Sequence, residues 1–308
     1  MKVLVTGGSG MVGSSLRILK PEWIYLRNVD LTDFETVRRT FTNNLPEIII
    51  HLAANVGGLF KNEANRLEMF NSNLIINYNV LQNAYLLGIK RIICCLSTCI
   101  FPEGLNRVLT ETDLHLGEPH HSNYGYAYAK RVMEVQCRLY NETPGYNYQC
   151  IIPTNIYGPH DNFNIHDSHV IPGLIHKAYL HSINNPDKPF TILGSGLPKR
   201  QFIYSMDLAR IIVDLVKMNR VEPLLICSCL EKDEISILDV AKLVAKEFNI
   251  VDVIPSEMNI GQNDGQQIKT VSPSRLLELL PEYSPISLET GIRQTVNWFK
   301  QNYPNVRL

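Results

Sequence analysis

The chain has 308 residues, of which 45% are hydrophobic and 19% are charged, and its formal net charge at pH 7 is −1. This composition is sufficient for a large buried core, and it supplies no basic field that would attract nucleic acid or an anionic membrane. An anionic ligand must therefore be bound by local groups, and we expect neither a nucleic acid nor a membrane as a partner.

The start of the chain and its cysteines favour a cytoplasmic protein. The first apolar run breaks at Gly7 without the cleavage pattern of a signal peptide. No apolar stretch approaches the ~20 residues that a membrane-spanning helix requires. The seven cysteines include no Cys-x-x-Cys pair, so we expect reduced thiols and a cytoplasmic location.

In chain order, the first half alternates short β-rich runs with helical patterns. The predicted strands are Lys2–Thr6, Trp23–Leu26, Glu47–His51, Arg91–Leu96 and Tyr148–Ile152. The predicted helices are Met11–Leu19, Phe34–Phe41, Glu63–Leu87 and Tyr126–Tyr140. Nearly continuous apolar strands that alternate with helices predict an α/β fold with a doubly wound parallel sheet of the Rossmann type.

The second half has a looser pattern, which predicts a smaller C-terminal α/β lobe. Helical patterns occur at Val170–His181, Asp207–Met218 and Leu238–Phe248, between turn-rich segments. A strand-like run at Leu224–Cys229 should return to the main sheet. We therefore expect a Rossmann domain of residues 1–157 plus 201–230, and a lobe of residues 158–200 plus 231–308 that binds the substrate.

A glycine-rich loop lies between the first predicted strand and the first predicted helix. Gly7, Gly10 and Gly13 form a G-x-x-G-x-x-G pattern there. Gly7 permits a tight turn, Gly10 lets the backbone approach a pyrophosphate, and Gly13 lets the helix pack closely on the strand. The N-terminus of the helix then offers N–H groups to phosphates. The position of the loop, more than the glycines themselves, predicts a dinucleotide site.

The end of the second predicted strand indicates which dinucleotide is bound. NAD-selective sites usually place an acidic residue there to bind the ribose 2′-hydroxyl. Here the strand ends Tyr25-Leu26-Arg27-Asn28, with an arginine and no acid. Because a guanidinium suits a 2′-phosphate, we expect NADP(H) bound by Arg27, with Arg17 as a second candidate. The alternative is that Arg27 is an ordinary solvated side chain.

A Tyr-x-x-x-Lys pair lies on the fourth predicted helix. Tyr126 and Lys130 share one helix face, where an ammonium group could stabilise a phenolate and lower the pKa of the tyrosine. Tyr124 and Tyr128 lack this spacing to Lys130. Ser97 follows a predicted parallel strand, at the edge where ligands bind in such sheets. Together with the glycine loop, these residues indicate carbonyl reduction in which Tyr126 transfers the proton and Ser97 positions the oxygen.

Eight segments carry a more specific pattern. They are VLVTGGSGMVG at 3–13, HLAANVGGLF at 51–60, LSTCIFP at 96–102, YGYAYAKR at 124–131, PTNIYGPHDNFN at 153–164, SHVIPGLIHK at 168–177, GSGLPKRQFIYSMDL at 194–208 and Asp264-Gly265. On these segments, which extend over nearly the whole chain, the sequence resembles the extended short-chain dehydrogenase/reductases, and specifically the GDP-L-fucose synthase family.

The resemblance implies a role for each matching residue. Ser97, Tyr126 and Lys130 match the catalytic triad, Cys99 matches the base of the 3,5-epimerisation, and His169 matches its acid partner. This chemistry is reasonable because a ketone at C4 of a sugar acidifies the C3 and C5 protons. A thiolate and an imidazole on opposite sides could then exchange these protons through an enolate, provided that the pKa of Cys99 falls towards neutrality.

The resemblance also implies ligand contacts. Lys177, Leu193, Arg200 and Lys269 match positions that contact a GDP-sugar, and Leu193 stands where bacterial members often have tryptophan. Pro153, Thr154, Asn155 and Ile156 match a backbone stretch beside the nicotinamide. The complete expected NADP(H) set is Gly7, Gly10, Met11, Val12, Gly13, Arg27, Asn28, Asp30, Leu31, Leu52, Ala53, Ala54, Leu96, Ser97, Tyr126, Lys130, Pro153, Thr154, Asn155, Ile156 and His169. By analogy with the family, we expect a homodimer formed through the helices near Glu63–Leu87 and Tyr126–Tyr140.

Other functions fit these residues less well. Dehydratases typically have an Asp-Glu pair after the Ser/Thr, where this chain has Thr98-Cys99, and simple 4-epimerases retain NAD. An enzyme for another 4-keto sugar, such as a GDP-heptose, stays open, and a non-catalytic NADP-binding protein is the remaining alternative.

No metal site is expected in the sequence. The histidines and aspartates of residues 160–169 are discounted as metal ligands, and His120 and His121 are interpreted as loop residues. The cysteines other than Cys99 are interpreted as buried structural residues.

Overall fold

The computed structural model describes residues 1–218, 222–256 and 269–308. Its strands are β1 Val3–Thr6, β2 Ile24–Tyr25, β3 Ile48–His51, β4 Arg91–Cys95, β5 Asn147–Pro153, β6 Asn155–Tyr157, β7 Phe190–Ile192, β8 Lys199–Arg200, β9 Phe202–Tyr204, β10 Leu224–Cys227, β11 Ile235–Ser236 and β12 Val253–Pro255. Its α-helices are α1 Met11–Leu19, α2 Phe34–Asn44, α3 Leu59–Ala64, α4 Arg66–Leu86, α5 Tyr124–Asn141, α6 Val170–Asn184, α7 Ser205–Lys217, α8 Ile237–Lys246, α9 Ser274–Leu279 and α10 Leu288–Asn302.

Six parallel strands form the main sheet, in the order β10-β5-β4-β3-β1-β2. Alternate residues of each strand point to opposite faces, and both faces are buried. On β1, for example, Leu4 packs into one core cluster whereas Val3 and Val5 pack into another. The predicted doubly wound parallel sheet is confirmed, including the return of β10 to its edge.

Helices cover both faces of this sheet. Residues of α2, α4 and α5 contribute to the core on one face, and residues of α1, α7 and α9 contribute to the core on the other. Caps fix several of the helix boundaries. The side chain of Asp33 accepts a hydrogen bond from Thr36 N at 2.7 Å at the start of α2, which ends at Leu45 in a left-handed conformation.

A third core cluster lies outside the main sheet. It includes Phe163, Ile175, Phe190, Val240 and Phe299, from segments on either side of β10 in the sequence. Three two-stranded pairs accompany it: β6 with β9, β7 with β12, and β8 with β11. This cluster is the core of the smaller α/β lobe. Neither α10 nor the short strands of this lobe were predicted from the sequence.

The helix predicted over Glu63–Leu87 is wrong in one respect, because the chain forms two helices there. Asn65, with φ −126° and ψ 38°, leaves the helical conformation between α3 and α4. Periodicity alone did not reveal this break, since both helices continue the polar and apolar pattern. Among the described residues, no helix is both long and apolar enough to cross a membrane.

Candidate active site

The glycine loop has the close contacts that its sequence predicts. Gly7 has φ +70°, and a Cβ atom there would lie 2.8 Å from Ala53 N. A Cβ atom on Gly13 would lie 2.6 Å from Gly7 O. No described side chain caps the N-terminus of α1 at Gly10. The loop therefore leaves N–H groups of the first turn available to a phosphate.

A cavity of about 920 Å³ extends from this loop across the carboxyl ends of the strands. All five predicted catalytic residues and all four predicted substrate contacts line it. So do all the predicted cofactor contacts except Arg27 and Asn28. The fold thus brings together residues from Gly7 to Lys269 into one site at the expected edge of the sheet.

The two arginines proposed for the 2′-phosphate occupy different places. Arg27 is exposed and does not belong to the described cavity lining. Arg17 lies beside the glycine loop, where its Nη2 donates to Gly8 O at 2.7 Å and its guanidinium carbon lies 4.7 Å from the ring centroid of Tyr25. Which of them binds a phosphate stays a prediction.

The triad residues come from the segment directly after β4 and from the first turns of α5. Lys130 is buried, and its Nζ donates to Cys95 O at 2.8 Å and lies 5.7 Å from the ring centroid of Tyr126. Burial raises the pKa of Tyr126 well above its ordinary value. This differs from the expected lowering of the pKa by Lys130, and it favours a neutral phenol that donates a proton.

Cys99 lies in a short 3₁₀ helix, Thr98–Ile100, that directly follows Ser97. Its backbone N–H donates to Ser97 Oγ at 3.4 Å. Burial raises the pKa of the thiol, against our expectation, and the positive charge of Lys269 gives the largest opposing effect. Burial also lowers the pKa of Lys269 to about 8. The two groups therefore influence each other's charge across the cavity.

Arg131 connects the Cys99 segment to the helix of Tyr126. Its Nε donates to Ile100 O and its Nη1 donates to Gly117 O, each at 2.7 Å. This buried guanidinium fixes the 3₁₀ helix against α5. It belongs to the YGYAYAKR segment, but no sequence pattern indicates this bracing role.

His169 precedes α6 and is exposed to the cavity, and Gly173 N donates to its carbonyl oxygen at 3.1 Å. Asp161 lies nearby in the cavity wall with 6% of its surface exposed. Its Oδ1 accepts from Asn162 N at 2.7 Å, whereas Oδ2 has no partner among the described residues. Burial raises the pKa of this carboxyl group, and the charge of His169 opposes the shift.

The predicted substrate contacts surround the other end of the cavity. Lys177 is half-buried, and burial lowers its pKa, whereas Leu193 is 54% exposed. The backbone near Lys269 is held two residues further along the chain, where Val271 N donates to Gln201 Oε1 at 2.8 Å. The matching pair Asp264-Gly265 lies outside the described residues.

The other cysteines mostly follow the structural interpretation. Cys94, Cys137, Cys150, Cys227 and Cys229 are buried. The exception is Cys95, which is only partly buried and lines the cavity.

Several residues of the cavity wall were missed by the sequence analysis. They are Lys61, Asn62, His120, Asp161 and Arg307. The PHDN pattern was a signal for Asp161, which was considered only as a metal ligand. No sequence pattern indicated Arg307, because only the tertiary structure brings it to the site. Its carbonyl oxygen accepts a hydrogen bond from Phe163 N at 2.8 Å.

The chain is similar to known proteins over its whole length. A model of the NAD dependent epimerase/dehydratase family matches residues 3–225. A "Probable GDP-L-fucose synthase" of Drosophila melanogaster is 42% identical over 99% of this chain and 99% of its own length. A "GDP-L-fucose synthase" of Dictyostelium discoideum is 44% identical, with 99% of this chain and 97% of that protein covered.

A solved structure resembles the fold as a whole. The crystal structure of a GDP-L-fucose synthetase from Naegleria fowleri bound to NADP is 38% identical, with a TM-score of 0.91 over 99% of this chain and 94% of that chain. The match includes both the main sheet and the smaller lobe. The chain therefore belongs to the NAD dependent epimerase/dehydratase family and, within it, to the family of GDP-L-fucose synthases.

Proposed function

We propose that the protein converts GDP-4-keto-6-deoxy-D-mannose to GDP-L-fucose, by epimerisation at C3 and C5 and NADPH-dependent reduction at C4. The observation that carries this proposal is the meeting of Ser97, Cys99, Tyr126, Lys130 and His169 in one cavity with the glycine loop. Similarity at 42–44% identity over the full chain supports the same substrate.

The residues of the glycine loop fit a dinucleotide. Gly7 and Gly13 keep the loop and α1 too close for side chains, and the uncapped N-terminus of α1 suits a pyrophosphate. Thr154 Oγ1 is buried without a partner among the described residues, in the stretch expected beside the nicotinamide. When bound there, NADPH supplies the hydride for C4. Arg17 and Arg27 are the proposed determinants of NADP preference.

Cys99 and His169 exchange the protons at C3 and C5. The thiolate of Cys99 removes a proton next to the ketone, and the imidazolium of His169 returns one on the other side. Ser97 and Tyr126 hydrogen-bond the C4 oxygen and stabilise the enolate. The positive charge of Lys269 offsets part of the effect of burial on the Cys99 thiol.

Reduction uses the same oxygen. Tyr126 is a buried, neutral phenol, and it donates its proton to the C4 oxygen as the ketone becomes an alcohol. Lys130 keeps the helix of Tyr126 anchored to β4 through Cys95 O. It would also hold the ribose of the dinucleotide. Because both steps act through one carbonyl, a single pocket serves both reactions.

The same proposal extends to the whole protein. We assign dinucleotide binding to residues 1–157 plus 201–230, and sugar binding to residues 158–200 plus 231–308. The location is cytoplasmic, which is supported by seven free cysteines. The protein is a homodimer, with neither nucleic acid nor membrane as a partner.

The test is turnover of GDP-4-keto-6-deoxy-D-mannose with NADPH in heavy water, followed by mass spectrometry and NMR. We expect one NADPH oxidised per GDP-L-fucose, with deuterium at both C3 and C5. Cys99→Ser should lose the exchange and retain slow ketone reduction, whereas Cys95→Ser, which changes a neighbouring thiol without an assigned role, should retain both. Oxidation of NADPH without deuterium would identify a plain 4-reductase, and no turnover would exclude this substrate.

A further inference from the structure

Three side chains with metal-ligating atoms meet beside the catalytic cavity. Glu103, His120 and His121 each offer one ligand atom, and these atoms all lie within 4.8 Å of one another. Glu103 Oε1 lies 3.4 Å from His120 Nε2. The imidazole centroids of His120 and His121 are 4.3 Å apart. None of the three has a role in the reaction proposed above.

The backbone holds these groups together across two separate segments. Glu103 N donates to Glu118 O at 2.9 Å, and Pro102 and Pro119 form an isolated antiparallel bridge. His120 and His121 follow this bridge directly. Little movement is therefore required to bring the carboxylate and the two imidazoles onto one ion.

The second nitrogen of His120 has a partner that orients the ring. His120 Nδ1 lies 2.8 Å from Ser122 Oγ. Nδ1 also accepts a hydrogen bond from Ser122 N at 3.2 Å, so the proton of the neutral ring is on Nε2, which faces Glu103. An ion that binds Nε2 has to displace this proton.

The donor set selects a class of metal. Two imidazoles and one carboxylate suit zinc and similar transition metals, whereas magnesium and calcium prefer oxygen ligands. We propose that Glu103, His120 and His121 form a binding site for a divalent transition-metal ion of the zinc class. Three protein ligands leave a fourth position for water.

The site lies where an ion would affect turnover. Glu103 is four residues after Cys99, and His121 is five residues before Tyr126. His120 also forms part of the cavity wall. A bound ion would tie these two segments together and fix the His120 ring, so we expect it to inhibit. This inhibition rests on the proposed function, whereas metal binding does not.

Binding is tested on the full-length, reduced and tag-free protein. Co²⁺ serves as a spectroscopic probe, and Zn²⁺ affinity is measured by competition with a chromophoric chelator. We expect one ion per chain, with d–d absorption and no thiolate-to-cobalt charge transfer. His121→Ala and Glu103→Gln should each weaken Zn²⁺ binding by about tenfold or more. His115→Ala is the matched control, because His115 pairs with Glu134 at 2.8 Å elsewhere on the surface.

Inhibition is measured on the same variants with Zn²⁺ added during turnover. His121→Ala and Glu103→Gln should retain the basal rate and become about tenfold less sensitive to Zn²⁺, while His115→Ala should behave like the wild type. Unchanged Zn²⁺ affinity in both ligand variants would overturn the proposal. A thiolate charge-transfer band that disappears in Cys99→Ser would also overturn it, by placing the ion on the catalytic cysteine. Absence of turnover with normal metal binding would count against the proposed function alone.

Discussion

Cys99 and Lys269 illustrate how two buried groups can set each other's charge. Burial raises the pKa of Cys99 and lowers that of Lys269 to about 8. Each charge opposes the other's shift, so a thiolate next to an ammonium is more stable than either ion alone. The base of the proposed epimerisation therefore depends on a lysine that is distant in the sequence.

Lys269→Met should move the pH dependence of proton exchange. Without the positive charge, the pKa of Cys99 rises further, so the thiolate forms only at higher pH. We expect the alkaline rise of the C3/C5 exchange rate, measured in heavy water at saturating substrate, to shift upward. Lys177→Met, which removes another cavity lysine, should weaken binding and leave the position of this rise unchanged. If the Lys269 variant and the wild type have the same pH profile of exchange, Lys269 does not influence the pKa of the Cys99 thiol.

Asp161 is a buried carboxyl group whose ionisation opposes folding. Burial raises its pKa above the ordinary value of 3.8, and Oδ2 has no partner in the described part of the chain. The free-energy penalty is absent below that ordinary value and grows as the pH rises through the raised one. Ionisation of Asp161, close to His169, therefore costs folding free energy.

Asp161→Asn should stabilise the protein at neutral pH. We expect the free energy of unfolding in urea to rise by about 1–3 kcal/mol near pH 8, and the gain to disappear as the pH approaches 3. Asp167→Asn, at an exposed position of the same loop, should change stability little. A less stable Asp161→Asn protein at pH 8 would mean that the carboxylate has a favourable partner.

At the scale of elements, the contact between β1, the glycine loop and α1 depends on the absence of side chains. A methyl group on Gly13 would lie 2.6 Å from Gly7 O and 2.7 Å from Gly8 Cα, both backbone atoms. On Gly10 the nearest atom would be Gly7 O at 3.4 Å. The same substitution at the two positions thus has different steric consequences.

Gly13→Ala should displace α1 from the loop. We expect a loss of about 1–3 kcal/mol in the free energy of unfolding, because the backbone has to move. Gly10→Ala, where the nearest atom to the added methyl group lies 3.4 Å away, is the matched control for this loss of stability. If the two variants have equal free energies of unfolding, close packing at Gly13 does not hold α1 against the loop.

The elements that sequence predicted well are those governed by local rules. The apolar strands, the loop at Gly7–Gly13 and the spacing of Tyr126 and Lys130 all depend on neighbours in the chain, and all were found where expected. The break at Asn65 and the burial of Cys99 depend on tertiary packing. The resemblance to a family supplied Cys99 and His169, which spacing alone did not identify.

At the scale of the whole molecule, the cavity is built from segments that no local pattern connects. Lys269 is placed by Gln201 and by the backbone of Leu109, which donates to Thr270 O at 2.9 Å. Arg307 reaches the cavity through the core of the smaller lobe. Their neighbours are set by the complete fold, which explains why sequence analysis missed Arg307 and found Lys269 only by resemblance.

An exposed apolar stripe on α4 and α5 supports a homodimer. On α4, the exposed Leu67, Ile75, Tyr78 and Leu86 are spaced by eight, three and eight residues, so they share one helix face. Leu139 on the neighbouring α5 is 57% exposed. Apolar side chains on adjacent helices form a patch that water disfavours, and a two-fold axis would pair it with itself.

Charges placed in this patch should therefore separate the subunits. The double change Ile75→Asp and Tyr78→Asp should give a particle near the chain mass of 35.0 kDa in sedimentation equilibrium, whereas the wild type should sediment at twice that mass. Val251→Asp is the control, because Val251 is 91% exposed and lies outside the stripe. A double variant that stays dimeric would place the interface elsewhere. A monomeric wild type would contradict the proposed homodimer. It would mean that the exposed stripe on α4 and α5 does not pair with a second copy of this chain.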